Sequence, residues 1–472
     1  MSDKETYGMI IDGRTVTTGQ VVEVINPATG LVFATVAAAD RRTLDEAVAS
    51  ARQAFPAWAA TPYSERVATM RKIGDLLADH ADEIGRILTT EQGKPLADAV
   101  GEVVQGSALS TYLADNVSFT PVVYPSSTGR HIVEHRKPLG VVAAITPWNF
   151  PLSLLWVKIL PALLAGNTVI VKPASTTPLS SVRMVELVNE VLPPGVLNVI
   201  CGDHDLSGEL TSHPGVDKIA FTGSMATGAK VMASAAATIK RITLELGGND
   251  PAIVLDDVDV ADAAGRVYAA ATMNAGQLCL AAKRIFVPSR MYDEFCDELV
   301  GHAKAEVVGD GFDPSTTMGP IQNAAQYAKT LSYLEDAHQS GTVIAGGAAI
   351  DGPGYFVAPT IVRDIPDDAR LVREEQFCPV VPVLSYDDID DVVARANSTE
   401  YGLGGTVWGR DLDRAFAVAM QVESGTVWVN QHMDFDFGVS ARGAKHSGLG
   451  AEFGKEGFEA FTQAYVVNRT AW

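Results

Sequence analysis

A chain of 472 residues, 47% hydrophobic and 20% charged, is long enough for two principal domains and too apolar for wholesale disorder. Its net charge of −21, from 36 Lys and Arg against 57 Asp and Glu spread along the chain, repels polyanions, so nucleic acid and anionic membrane are excluded as partners. Four scattered cysteines, Cys201, Cys279, Cys296 and Cys378, suit neither a disulfide framework nor a zinc spacing, so no metal site is expected and a reducing cytoplasm fits. Residues Met1 to Tyr7 carry charges of both signs with no apolar run behind them, and no signal peptide is expected.

In chain order, an Asn-Pro-containing start leads into amphipathic stretches, Thr43 to Ala54 and Ser64 to His80, whose apolar spacing predicts packing helices. Val122 to Arg136 reads as a β-rich excursion with exposed edges. Leu139 to Val157 carries no charge, but Pro147, Asn149 and Pro151 break it, so it predicts a buried strand, a turn and a buried helix start rather than a membrane span. From there apolar runs at 140–145, 167–172, 197–201, 217–221 and 241–246 alternate with helix-length segments, the pattern of a doubly wound parallel sheet. A second α/β alternation follows from Pro251, with strands near 252–255, 284–287, 380–384 and 425–429. Gln463 to Val467 reads as another β edge, most simply covered by a second subunit.

The strand ends hold the residues that can carry chemistry. Asn149, fixed between Pro147 and Pro151, presents a carboxamide N–H to an oxyanion or merely caps a turn. Lys172 closes an apolar strand where a cation reaches a ribose hydroxyl or phosphate, against the plainer reading of a solvated charge. Gly223-Ser224 opens a helix and offers free N–H groups to a phosphate, or a simple Ser N-cap. Glu245, flanked by Leu244 and Leu246, has a carboxyl raised by desolvation that suits a general base, or is a salt-bridged structural glutamate. Cys279 follows small residues at an expected helix start, whose N-terminus would favour a thiolate; the other cysteines read as inert core. The only approach to a GxGxxG fingerprint, Gly448 to Gly454, follows no strand of a βαβ unit and fails.

Taken in order, Pro-Trp-Asn-Phe-Pro at 147–151, Lys-Pro at 172–173, Phe-Thr-Gly-Ser at 221–224, Glu-Leu-Gly-Gly at 245–248, Gly-Gln-Leu-Cys at 276–279 and Glu-Glu-Gln-Phe-Cys-Pro-Val at 374–380 resemble the aldehyde dehydrogenase superfamily over nearly the whole chain. The resemblance implies a discontinuous cofactor domain at 1–117 and 138–247, a catalytic domain at 248–447, and oligomerisation segments at 118–137 and 448–472 of a homodimer or homotetramer. It implies Cys279 as nucleophile, Glu245 as base, Asn149 with the Cys279 N–H as oxyanion hole, and Lys158 with Glu452 as a proton relay. NAD or NADP would lie on Ile145, Thr146, Pro147, Trp148, Lys172, Ser175, Gly202, Gly223, Ser224, Leu246, Glu375 and Phe377. The substrate wall would hold Phe150, Leu154, Trp156, Val157, Met273, Phe435 and Ala441, apolar enough for an aromatic or medium-length aldehyde.

Three departures from the family pattern matter. Ser175 stands where a glutamate that repels a 2′-phosphate is common, which leaves NADP open. Cys378 replaces a glycine beside the ribose site, and Ser440-Ala441-Arg442-Gly443 loses an aromatic. Arg442 would then meet a semialdehyde carboxylate, or pair with Asp434 or Asp436. A thiol-dependent esterase and a catalytically silent homologue are the competing readings; only the dehydrogenase reduces cofactor.

Overall fold

The computed structural model describes residues 5–126 and 128–470. Apolar runs with no polar face form the middle of an eight-stranded sheet, in the order Gly448–Leu449, Arg241–Glu245, Lys218–Thr222, Val141–Ile145, Thr168–Lys172, Leu197–Val199, Met9–Ile11, Arg14–Val16. The five strands between 141 and 245 run parallel, and helices on both faces bury them, which is why they lack alternation. Helix Arg41–Ala60 extends the first expected packing helix, Tyr63–Asp79 matches the second within a residue, and Leu96–Asn116 adds another; Asp40 caps the first by accepting from Thr43 N at 2.8 Å. The uncharged stretch resolves as expected into the buried strand Val141–Ile145 and the helix Ser153–Ala165. Among the described residues no helix is long and apolar enough to cross a membrane.

The second sheet has seven strands, in the order Thr342–Ala345, Thr360–Arg363, Val380–Tyr386, Ala282–Pro288, Asp250–Val254, Gly404–Trp408, Thr426–Val429, parallel except for the first. Side chains alternate across it: Phe286 enters one core, Ile285 and Val287 the other. Strands at 342–345, 360–363 and 404–408 are not anticipated from the sequence. In the last, two glycines mask the pattern, and Gly404 is required because a Cβ there would collide with the Asp250 carboxylate.

Both chain ends bring surprises. Met9–Ile11 and Arg14–Val16 complete one edge of the first sheet by antiparallel pairing on Leu197–Val199. The tail, expected to serve subunit contact apart from Glu452, divides: Gly448–Leu449 pairs with Leu244 and Glu245 at the other edge, and only Thr462–Arg469 joins His131–Pro138 and Val122–Tyr124 in a separate three-stranded sheet. Pairing beside Glu245 brings the chain back so that Glu452 and Phe453 reach the cavity, while Leu449 stays exposed.

One expected cavity residue is corrected. Along the helix Ser153–Ala165, Leu154 and Val157 are three residues apart and share a face, while Trp156 is turned about 100° away. It is 1% exposed and lies in the core against Gly106 of the helix Leu96–Asn116. A Cβ on Gly106 would fall inside the Trp156 indole, so Gly106→Ala overpacks a full core and is expected to cost about 1–3 kcal/mol, read as a lowered unfolding midpoint in denaturant. An unchanged midpoint would show that the indole can move aside.

Candidate active site

The carboxyl ends of the first sheet face the amino ends of the second. Ile145, Lys172, Thr222 and Glu245 end strands of the first, whereas Gly248, Cys279 and Glu375 each precede a strand of the second. Between them opens a cavity of about 510 Å³. Its wall includes Asn149, Glu245, Cys279 and Glu452 together with Leu246, and of the expected substrate residues Phe150, Leu154, Val157, Met273, Phe435 and Ala441.

No helix starts at Cys279, contrary to expectation. The residues after it, from Ala282 to Pro288, form a buried strand that contains the expected one at 284–287, because Ile285 and Phe286 find parallel partners on both sides. What precedes Cys279 is a tight turn in which Asn274, Ala275 and Gly276 all have positive φ, at 52°, 56° and 67°. For the two non-glycine residues this conformation costs about 1–2 kcal/mol each. Side chains hold it: Gln277 Nε2 donates to Asn274 O at 3.0 Å and Gln92 Nε2 to Asn274 Oδ1 at 3.1 Å. Gly276 is required, since a Cβ would strike the Cys378 carbonyl.

Without a helix N-terminus the thiol loses the expected stabilisation of its anion. Burial pushes the Cys279 thiol up to about 12; Lys283 opposes this, while Glu375, Asp250 and Glu245 add to it. Glu245 is likewise held well above the usual carboxylate range, first by burial and then by the charge of Glu452, with Lys158 opposing. Its Oε1 has no hydrogen-bond partner among the described residues. Lys158, fully buried, donates to Glu452 Oε1 at 2.6 Å and to Thr222 Oγ1 at 2.7 Å. Glu452 is aligned by backbone pairing with Ala441, at 2.8 and 2.9 Å.

Asn149 is buried, and its Nδ2 donates to Gln277 O at 3.0 Å, leaving one carboxamide N–H for the cavity. Its backbone carbonyl accepts from Lys94 Nζ at 3.0 Å and Asn274 Nδ2 at 3.1 Å. Lys94 is in turn paired with Glu102, both buried. Lys94, Glu102 and Asn274 line the cavity with Thr222, Met433 and Phe453, and sequence reasoning missed all six. Lys94 in Gly93-Lys94-Pro95 shares the Lys-Pro pairing of Lys172-Pro173, the one signal that could have marked it.

The expected cofactor residues lie along the neighbouring strand ends. Lys172 is buried, and desolvation lowers its ammonium to about 8, with Cys201 and Asp203 opposing. Among the described residues its Nζ makes no hydrogen bond. Thr146 carries a buried hydroxyl without a partner, and Ser175 lies partly buried nearby in sequence to Lys172. Gly202 packs so closely on Leu206 that a Cβ would lie 2.6 Å from its Cδ2. Ser224 is an N-cap, its Oγ accepting from Thr227 N at 3.3 Å, which leaves the turn at Gly223 at the head of the helix Met225–Ala236. Trp148, following Pro147, meets Phe377 edge to face at 5.4 Å, so the two sheets' contributions touch. Glu375 is partly buried, its Oε1 accepting from Gly248 N at 3.0 Å. Arg442 reaches the cavity mouth but is paired with Glu456 at 2.7 Å, not with Asp434 or Asp436.

The family model described as "Aldehyde dehydrogenase family" matches residues 15–467. "Aldehyde dehydrogenase, mitochondrial" of Leishmania tarentolae is 40% identical, over 98% of this chain and 94% of the relative. "Succinate-semialdehyde dehydrogenase, mitochondrial" of Arabidopsis thaliana is 38% identical, over 95% of this chain and 86% of the relative. The solved NAD+ complex of aldehyde dehydrogenase from Bacillus cereus is 35% identical, with a TM-score of 0.96 and coverage of 99% of this chain and 97% of that one. The chain belongs to the aldehyde dehydrogenase family and is an oxidoreductase working with a nicotinamide cofactor.

Proposed function

We propose that this enzyme oxidises an aromatic or medium-chain apolar aldehyde to its carboxylate through a thioester on Cys279. The observation that carries the reading is the convergence of Cys279, Asn149 and Glu245 on one cavity otherwise walled by Phe150, Leu154, Val157, Met273, Phe435 and Phe453. Phe435 and Phe453 stack at 5.9 Å and offer flat apolar surface.

Glu245, whose raised affinity for a proton suits a base, takes the proton of the Cys279 thiol. The thiolate attacks the carbonyl carbon, a C–S bond forms, and the carbonyl electron pair moves to oxygen. The free N–H of the Asn149 carboxamide and the Cys279 N–H receive that alkoxide. A bound nicotinamide would supply the acceptor for the hydride that the same carbon must lose as the alkoxide collapses to the thioester. Lys158 and Glu452 first carry the thiol proton away from Glu245. The restored carboxylate then removes a proton from water, the resulting hydroxide attacks the thioester, and the C–S bond breaks to release the acid and the Cys279 thiolate.

The residues present fit the cofactor. The partnerless Lys172 ammonium and Thr146 hydroxyl, the Glu375 carboxylate and the side-chain-free approach at Gly223 suit ribose hydroxyls and a pyrophosphate at a helix head. A Cβ on Gly247 would run into Glu375, so the space in front of that carboxylate stays open. With Ser175 in place of an acidic residue, either NAD or NADP is accepted in our reading. Ser175→Glu is expected to lower kcat/KM for NADP more than for NAD, by charge repulsion at the 2′-phosphate. An unaltered cofactor ratio would place residue 175 away from the ribose.

Exposed Val122, Val123, Tyr124, Tyr465, Val466 and Val467 on the three-stranded sheet support a homodimer or homotetramer, which sedimentation velocity tests. Four free cysteines support a reducing compartment, the cytoplasm in our reading.

A semialdehyde is the second reading, favoured by the position of Arg442 at the cavity mouth and by the name of the Arabidopsis relative. The Glu456 partner already occupies that guanidinium, which is why the apolar substrate leads. Absorbance at 340 nm with an aldehyde panel decides: benzaldehyde or chains of about six to ten carbons are expected to exceed succinic semialdehyde in kcat/KM. A preference for the semialdehyde that Arg442→Ala abolishes would reverse the order. In the same assay Cys279→Ser is expected to abolish turnover, and Glu245→Gln to leave one burst of reduced cofactor per site without steady turnover. Steady turnover in Glu245→Gln would remove that residue from hydrolysis.

A further inference from the structure

Behind the thiol turn lies a cation that the mechanism above does not use. Lys283, second residue of the strand Ala282–Pro288, is 2% exposed. Its Nζ donates to Leu278 O at 2.7 Å and to Cys279 O at 2.6 Å. Leu278 O and Cys279 N–H belong to one peptide group, which is trans, so the two point in opposite directions. Holding the carbonyl from behind therefore fixes where the N–H in front points. Ala281 N adds a second bond to the same carbonyl at 3.2 Å, and among the described residues the Cys279 N–H has no acceptor.

The charge is placed as deliberately as the hydrogen bonds. A carboxylate lies close by: Asp250 is 1% exposed and neither of its oxygens has a hydrogen-bond partner among the described residues. Gly248 lies between that carboxylate and the carbonyl Lys283 holds, since a Cβ there would touch both Cys279 O and Asp250 Oδ1. Burial raises Asp250 to about 7, with Lys283 the foremost opposing charge, and Lys283 is likewise the foremost charge opposing burial at Cys279, where Glu375, Asp250 and Glu245 add to it. A buried ammonium that spends two of its three donors on consecutive carbonyls of one turn is held in place rather than mobile.

We propose that Lys283 is a positioning residue for aldehyde oxidation: it pins the Leu278–Cys279 peptide from behind so that the Cys279 N–H faces the cavity as the second oxyanion donor, and its charge favours both thiolate and alkoxide. The proposal rests on Cys279 being the nucleophile. Polarising a carbonyl strengthens the N–H of the same peptide group as a donor, so hydrogen bond and charge act in one direction.

Three enzymes test it: wild type, Lys283→Met, which keeps the length and loses donors and charge, and Lys283→Gln, which keeps a donor and loses the charge. The readouts are kcat and KM for one good aldehyde, and the pH dependence of Cys279 alkylation by iodoacetamide without cofactor, located by mass spectrometry. Circular dichroism checks the fold. Lys283→Met is expected to lower kcat roughly 10- to 100-fold, below the 10²–10³ of deleting an oxyanion donor outright, with KM within about threefold. Alkylation of both variants is expected to move to higher pH, and Lys283→Gln to recover part of kcat. A folded Lys283→Met with wild-type kcat and alkylation profile overturns the proposal. If Lys283→Met does not fold, Lys283→Gln decides, a wild-type alkylation profile again overturning it. Wild type that reduces no cofactor with any aldehyde would sink the dehydrogenase reading instead, while the alkylation arm would still judge Lys283.

Discussion

Everything at this site depends on a backbone held where it would not rest by itself. Three successive residues, Asn274 to Gly276, sit in left-handed conformation, and the turn they make carries Cys279 into the cavity. An isolated peptide would relax from it. Here amide side chains close around it, Gln92 from the end of the helix Ala81–Gln92 and Gln277 from the turn itself, and the backbone N–H of distant Gln322 donates to Gln277 Oε1 at 2.8 Å. Strain at a functional turn is tolerated when its surroundings over-determine it. The same network reaches Asn149 through Asn274 and Lys94, so the nucleophile and its oxyanion donor are set by one scaffold.

Desolvation governs the electrostatics that this scaffold encloses. Burial raises both the Cys279 thiol and the Glu245 carboxyl, which disfavours charge on each while the cavity is dry. A proton passing from thiol to carboxylate therefore moves one charge without creating a second. The buried Lys158–Glu452 pair extends this economy, since a proton reaching Glu245 has a paired carboxylate close by. Lys94 and Glu102 keep another charge pair neutral on the opposite wall, next to the apolar face of Phe150, whose ring lies 3.8 Å from the Lys94 ammonium.

How much of this was legible in the sequence depended on whether the signal was local. Buried parallel strands announce themselves as continuous apolar runs, and motifs such as Pro147 to Pro151 carry their own rigidity, so the sheets and the strand-end residues could be read. Trp156 could not, because its place is decided by a rotation of about 100° relative to Val157 and by the space that Gly106 leaves. Lys283 drew no reading, since nothing within several residues tells a buried ammonium from a solvated one, and Lys94 had only the proline after it as a mark. The helix start expected at Cys279 failed because the small residues before it form a left-handed turn, and the strand expected at 284–287 begins already at Ala282, leaving no length for a helix.

The short pairing of Gly448–Leu449 with Leu244 and Glu245 has a consequence for how the molecule comes into being. The strand that carries Glu245 is complete when barely half the chain has been synthesised, yet its outer edge stays bare until residue 449 arrives. Glu452 and Phe453, which complete the cavity wall, come later still. A nascent chain must hold an unpaired edge through more than two hundred residues of further synthesis, a contact of high sequence separation that slows folding and exposes the edge to wrong partners. The cavity closes last, so chemistry begins only when nearly the whole polypeptide is in hand.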